Sequence, residues 1–328
     1  MDFQFSLEWK ELPLRYAWRL SRNTSLAKTN GIVRLSWAGV QGMGEVAPNI
    51  RYGETVESVE AAFRAFCSRL PQPGDWTRFA EQSNLPSCLL AGLDMAFQDA
   101  RIRREGTGNS PFRGLPPVSP RPMAYTIPVM GGEELRDFFL RENLSRFSWL
   151  KLKVNRELAS EALAALLSVY SGPVAIDGNE AWTDAGELLQ FCRGLPPGRI
   201  LFLEQPMPDS LRHLFPGVKA GSPVPVWGDE SVLQQPDPLF WMESFSGINV
   251  KLMKAGTLER ARTLLETARN AGLGTMIGCM VETSLGISAA LRLESLADYL
   301  DLDGFLLLES EPFGLLREEG GILRPATV

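Results

Sequence analysis

One histidine, His213 in DSLRHLFPG, serves 328 residues, too few to build a histidine-rich zinc site or a Ser-His-Asp triad. Acid–base chemistry in this chain must run on lysines and carboxylates. Cysteine is sparse as well. Cys67, Cys88, Cys192 and Cys279 stand singly, in neither a CxxC zinc pattern nor the disulfide framework of a small secreted domain, and they read as buried free thiols. There is no run of basic residues. The 33 Lys and Arg and 39 Asp and Glu are mixed along the chain, for a net charge of −6, so no phosphate-binding face is offered to a nucleic acid. Apolar runs such as Gly304 to Leu308 fall far short of the roughly 20 residues a membrane helix needs. The start MDFQFSLEWKELP lacks the basic and apolar regions of a signal peptide, which gives a cytoplasmic location as the expectation. Neither GxGxxG nor GxxxxGK[ST] follows an early strand, which argues against a nucleotide-binding open sheet.

What is present is 45% hydrophobic content in a chain long enough for one barrel and a smaller domain. An alternating strand pair near Gly31 to Trp37 and Gly42 to Val46, followed by helical patterns at Val56 to Leu70 and Cys88 to Arg103, predicts an α+β module over 1–118. GTGNSPFRGLPPVSPR, Gly106 to Arg121, cannot continue a helix and reads as the connector. Eight short apolar runs follow, beginning at Met123, Trp149, Pro173, Ile200, Val224, Gly247, Leu273 and Leu300. Helical patterns lie between several of them. The clearest is TLERARTLLETARNAGL, where Leu258, Ala261, Leu265 and Ala268 share a face and Gly272 suits a left-handed C-terminal position. Strand and helix alternating at this interval predict a closed parallel (β/α) barrel over 119–311, with 312–328 returning to the N-terminal module.

Charged residues recur at the C-terminal ends of these runs, where such barrels place their sites: Lys151 and Lys153, Asp177, Glu204, Asp229, Lys251, Asp301 and Asp303. Three carboxylates from three successive strands, Asp177, Glu204 and Asp229, form a hard oxygen set suited to Mg²⁺. Lys151 and Lys153 alternate with leucines and so share one face. Their mutual repulsion is expected to lower a lysine pKa toward that of a working base. Lys251 arrives from four units further round and meets the same substrate from the other side. Alone, a strand-end carboxylate is an N-cap, KLK an edge pattern and DLD a turn. Their recurrence in phase with the barrel repeat is what points to a site.

With these residues in hand, WLKLKV, AIDGNEAW, FLEQP, WGDES, INVKLMKAG, GCMVETSLGISAA and DLDGFLLL resemble the motifs of the enolase superfamily, muconate-lactonising subgroup, and within it the dipeptide epimerases. PLRYAWRLSR, GMGEVAP and RYGET resemble the capping domain of that family. The resemblance implies an enolase-type modified barrel with an N-terminal α+β cap, one Mg²⁺ and no organic cofactor. It implies Lys153 and Lys251 as the two acid/bases, with Lys151 beside Lys153 contacting the substrate carboxylate, and Asp177, Glu204 and Asp229 as metal ligands. Asn179 and Glu230 would orient those ligands, Asp301 and Asp303 would hold a dipeptide's α-ammonium group, and Thr126 would touch the substrate. Arg22 would pair with an acidic second side chain. The third-strand motif carries Gly178 where the family commonly has Ala. The implied reaction is 1,1-proton transfer at the α-carbon of the C-terminal residue of a dipeptide such as L-Ala-L-Glu. Alternatives are o-succinylbenzoate synthase or another lactonising-type enzyme, and, from a different class, a catalytically silent binding barrel. The expected partner is the dipeptide, without nucleic acid or membrane, and a homo-oligomer stays open.

Overall fold

In the computed structural model, residues 3–19, 24–106 and 119–326 are described. Arg22 lies outside them. The chain opens with an antiparallel sheet of β1 (Phe3–Arg19), β2 (Thr24–Trp37) and β3 (Val40–Val46), in that order. β1 is an element that the sequence reading passed over, although Phe3, Phe5, Leu7 and Trp9 alternate with Gln4, Ser6, Glu8 and Lys10 at the period of a half-buried strand. Helices α1 (Val56–Cys67), α2 (Trp76–Gln82) and α3 (Ser87–Arg104) follow. α1 begins in a reciprocal capping box between Thr55 and Ser58. Thirteen of the eighteen residues of α3 are buried, which marks it as a central helix; it packs on β2 and β3 on one side and on the barrel on the other.

The barrel has eight parallel strands: β5 (Tyr125–Ile127), β6 (Leu150–Lys153), β7 (Val174–Asp177), β8 (Ile200–Glu204), β9 (Val226–Gly228), β10 (Gly247–Lys251), β11 (Gly274–Gly278) and β12 (Tyr299–Asp301). They are neighbours in chain order, and the Ala124 N–H donates to Leu300 O at 2.9 Å between the first and last of them. Seven fall within a predicted run, and β12 begins one residue ahead of the run predicted from Leu300. The GFLLL portion of the last run is instead a 3₁₀ turn, Gly304–Leu307. The helix Leu258–Asn270 buries Ala261, Leu264, Leu265 and Ala268, and Gly272 takes φ +74° past its end.

Strand polarity divides the barrel interior into two layers. Trp149, Phe202, Trp227 and Tyr299 seal the N-terminal end, with Phe202 and Trp227 stacked at 4.3 Å between centroids. The plug needs glycine beside it: a Cβ on Gly247 would fall 2.3 Å from the Trp227 ring. Above the plug lie the buried Thr126, Lys151, Lys153, Asp177, Glu204, Asn249, Lys251 and Asp301. β13 (Leu316–Glu319) and β14 (Ile322–Pro325) form a hairpin that pairs with β4 (Arg121–Pro122) in a separate small sheet. The closing segment was expected to return to the N-terminal module. It is held here instead, with Leu323 buried and Glu318 paired to Arg146 at 2.8 Å.

The N-terminal module is fastened over the barrel mouth by polar contacts, one buried and one at the surface. Glu45 of β3 accepts hydrogen bonds from the Thr283 N–H, the Thr283 hydroxyl and the Gly286 N–H, at the N-terminus of the helix Ser284–Ala290. Arg51 makes a bidentate pair with Glu180, at 2.7 and 2.6 Å. Among the described residues, no helix is long and apolar enough to cross a membrane.

Candidate active site

The strand register sets the site. Lys153, Asp177 and Glu204 are neighbours across β6, β7 and β8, and Thr126 lies beside Lys151. Asp229 follows the end of β9 directly. The predicted lysines and carboxylates on the described strands all converge on the barrel mouth. Lys151 is 1% exposed and its Nζ sits 3.1 Å from Asp177 Oδ2, 2.8 Å from Glu204 Oε2 and 2.8 Å from Asp301 Oδ2. Lys153 donates to Asp177 Oδ2 at 2.6 Å and to Asn179 Oδ1 at 2.9 Å. Across the barrel, Lys251 donates to Asp229 Oδ2 at 2.8 Å.

The expected effect of like charge on Lys151 is reversed. Burial alone pushes its ammonium down, but Asp177, Asp301, Glu204 and Asp229 outweigh burial and raise its pKa well above the ordinary lysine value. Lys251 is raised in the same way, chiefly by Asp229 against burial. The carboxylates respond in two groups. Asp177 and Asp229 are held below the usual range by their lysines despite burial. Glu204 is pushed up to about 8, by burial first and then by Asp177, Asp229 and Asp301 against Lys151. Burial and the charge of Asp301 push Asp303 up to about 7.

Thr126 is engaged by the last strand. Its N–H donates to Asp303 Oδ2 at 2.5 Å, and its hydroxyl lies 3.0 Å from Asp301 Oδ1 and 3.3 Å from Asp303 Oδ1. Asn179 joins Asp177, through its backbone N–H at 3.0 Å, to Lys153 and to Glu230 through its carboxamide.

Several residues that shape the site were missed. Asn249 donates to Glu204 Oε1 at 2.8 Å; two positions before Lys251 on one strand, it shares that lysine's inward face, a signal legible from alternation. Lys254 donates to Asp229 Oδ1 at 2.6 Å from the short helical turn Leu252–Ala255. Gln205, at φ +33°, accepts the Asp229 and Ser231 N–H groups on its side-chain oxygen and so fixes the loop carrying Asp229. Asn179 and Glu180 are also left-handed, at φ +42° and +63°, as the chain turns into the mouth.

A cavity of about 780 Å³ lies between mouth and cap. Lys151, Lys153, Lys251, Asp229, Asp301 and Asp303 form its floor, and Trp18, Lys28, Ile50 and Tyr52 contribute from the cap. Asp177 and Glu204 lie beneath the lysines.

The donor set fits a divalent cation. Asp177, Glu204, Asp229, Glu230, Asp301 and Asp303 face Lys151, Lys153, Lys251 and Lys254, all nine-tenths or more buried. Fully ionised, this cluster carries two more negative than positive charges, which one Mg²⁺ would balance. Glu204 Oε2 is buried and accepts no hydrogen bond among the described residues; its contact with Lys151 is an ion pair without hydrogen-bond alignment. Among the described residues, no three acidic, His or Cys side chains are already gathered as a metal cage, because the ammonium groups stand between the carboxylates.

An eight-stranded parallel barrel with lysines and carboxylates at its strand ends, roofed by an α+β cap, is the architecture of the enolase-type barrels. The chain belongs to the enolase C-terminal domain-like family, whose model matches residues 132–306. It is 33% identical to an L-Ala-D/L-amino acid epimerase of Pedosphaera parvula, over 96% of this chain and 93% of that protein. It is 30% identical to an L-Ala-D/L-Glu epimerase of Bacteroides thetaiotaomicron, over 92% and 80%. A dipeptide epimerase from Methylococcus capsulatus, solved with Mg and the dipeptide L-Arg-D-Lys, superposes with a TM-score of 0.85 at 27% identity, over 99% of this chain and 97% of that one.

Proposed function

We propose that this protein is an Mg²⁺-dependent dipeptide epimerase that inverts the α-carbon of the C-terminal residue, with L-Ala-L-Glu as a substrate. The observation that carries this reading is the placement of two lysines. Lys153 on β6 and Lys251 on β10 stand four strands apart in a barrel of eight, both lining one cavity. A carbon held between them is open to an ammonium or amine on either face. The named relatives, all epimerases, support the same reading.

In the proposed mechanism one lysine removes the α-proton, and the lysinium opposite delivers another, so the centre inverts with no net change in bonding. Lys151, kept cationic by its carboxylates, stays a fixed positive charge for the substrate carboxylate. Asp177, Glu204 and Asp229 would hold Mg²⁺, which when bound supplies positive charge where negative charge develops as the proton leaves. Asn179 and Gln205 keep Lys153 and the Asp229 loop in place. Asp301 and Asp303, with Thr126 behind them, would receive the α-ammonium group, a cation that a lactonising or dehydrating relative has no use for. Arg22 would meet an acidic second side chain. The domain reading is a cap over 1–118 and a catalytic barrel over 119–311.

The test is proton NMR in D₂O with Mg²⁺ and a panel of dipeptides including L-Ala-L-Glu. The expected result is loss of the α-proton signal of the C-terminal residue with appearance of the epimer. No exchange with any dipeptide, from folded and metal-loaded protein, would overturn the reading and turn attention to the o-succinylbenzoate synthase reaction.

A further inference from the structure

We propose that Asn249 and Lys254 choose the metal ion: each holds back one oxygen of a carboxylate, so that the site offers single oxygens and favours Mg²⁺ over Ca²⁺. This rests on the assignment of Asp177, Glu204 and Asp229 to the metal and goes beyond it to the selection of the ion.

The three carboxylates are bonded in one pattern. Asp177 Oδ1 accepts the Asn179 N–H at 3.0 Å, Glu204 Oε1 accepts from Asn249 Nδ2 at 2.8 Å, and Asp229 Oδ1 accepts from Lys254 Nζ at 2.6 Å. The second oxygen of each faces a lysine that lines the cavity: Asp177 Oδ2 meets Lys153, Glu204 Oε2 meets Lys151 and Asp229 Oδ2 meets Lys251.

Asn249 and Lys254 differ from those lysines. They are 0% and 3% exposed, and neither lines the cavity. Lys254 Nζ is held by three acceptors, Asp229 Oδ1, Asp229 O and Asn249 O, and so stays with Asp229. The Asn249 carboxamide has one workable orientation, because turning it over would set its oxygen against a carboxylate oxygen. Gly278 makes room for it: a Cβ there would fall 2.5 Å from Asn249 Oδ1. An arriving cation therefore competes with the cavity lysines for one oxygen of each carboxylate and finds the other already taken.

That arrangement discriminates by coordination. Mg²⁺ takes about six oxygens in a near-octahedral shell and keeps several waters, whereas Ca²⁺ takes about six to eight and readily uses both oxygens of a carboxylate. Three carboxylates that give one oxygen each leave the smaller ion its places for water and substrate, and deny the larger one its extra oxygens.

Calorimetric titration of the full-length, chelator-treated protein with magnesium chloride and with calcium chloride gives two dissociation constants, whose ratio is the readout. Asn249→Leu removes a donor and no charge; Lys254→Met removes both. The two ions carry equal charge, so a lost ammonium moves both affinities together and cancels from the ratio. Each variant is expected to shift the ratio toward Ca²⁺ by at least about tenfold. A ratio unchanged in a folded variant overturns the role of that residue. Infrared difference spectra of the native protein need no variant. Carboxylate stretches of single-oxygen binding are expected with both ions, and a band of two-oxygen binding with Ca²⁺ overturns the proposal. The readings fail separately. Native protein that binds neither ion overturns the metal assignment along with the selection, and an unaltered ratio overturns the selection alone. Selective binding without α-proton exchange in any dipeptide keeps the selection and overturns the epimerase.

Discussion

Glu282→Gln is expected to stabilise the protein, by an amount that grows with pH. Glu282 is 1% exposed, at the seam between cap and barrel. Its Oε1 accepts the Met280 N–H at 2.7 Å, and its Oε2 accepts no hydrogen bond among the described residues. Facing it is Glu45: a Cβ built on Gly286 would lie 2.5 Å from Glu282 Oε2 and 2.9 Å from Glu45 Oε2, so the two carboxylates crowd one point. Burial pushes both upward, but Glu45 is compensated by Thr283, Asn30 and Gly286, which all donate to it. The proton therefore stays on Glu282, which burial and then the charge of Glu45 push up to about 8.

The sign follows from proton binding. Below the ordinary value of 4.5, Glu282 is protonated in both the folded and unfolded chain and its contribution is fully present. As pH rises, the unfolded chain releases the proton first, and stability falls by about 1.4 kcal/mol per pH unit until the folded group ionises near 8. The loss reaches about 3 kcal/mol at pH 7. Glutamine keeps the Met280 contact, presents an amide N–H to Glu45 and has no proton to lose. Urea melts from pH 5 to 8.5 should show the two proteins separating from about 1 to about 5 kcal/mol, with the variant the more stable. Parallel profiles, or a variant that weakens as pH rises, would refute the assignment of the buried proton.

Lys153→Ala and Lys251→Ala should each lower epimerisation by about 10²- to 10⁴-fold while the Mg²⁺-dependent shift in melting persists; a variant retaining a tenth of the native rate removes that lysine from the reaction. Mg²⁺ at about a hundred times its dissociation constant should stabilise chelator-treated protein by about 2.7 kcal/mol in a saturable titration, and Glu204→Gln should abolish the shift. An undiminished shift in that variant takes Glu204 out of the metal's coordination. Gly178→Ala, the residue the family commonly carries, would place a Cβ 2.7 Å from Pro206 Cα and 3.1 Å from the Trp182 ring. A loss of about 1–3 kcal/mol in denaturant unfolding is expected, and an unchanged midpoint would show that this backbone approach relaxes freely.

The barrel was legible in the sequence because its signal repeats. An apolar run recurs eight times, six of those runs carry a charge at the strand end, and helical patterns lie between several of them, so each recurrence checks the last. That periodicity also phased the strand-end residues. Lys151 and Lys153 were placed on one face by alternation alone, and both line the mouth. β1 escaped because a single long strand has no repeat to be compared with, and the residues between it and its partner β2 carry no short hairpin signature in sequence. The closing hairpin escaped for a related reason. Its place is set by Pro122 and Arg146, roughly two hundred residues earlier, rather than by its own pattern.

The misjudged lysine shows where local reading ends. In sequence, the nearest charge to Lys151 is another lysine two positions on, and repulsion is the natural inference. In the folded chain the same ammonium meets carboxylates 26, 53 and 150 residues away, and they decide its protonation. Alternation along a strand tells which side chains enter the barrel; only the ring of strands tells which of them meet.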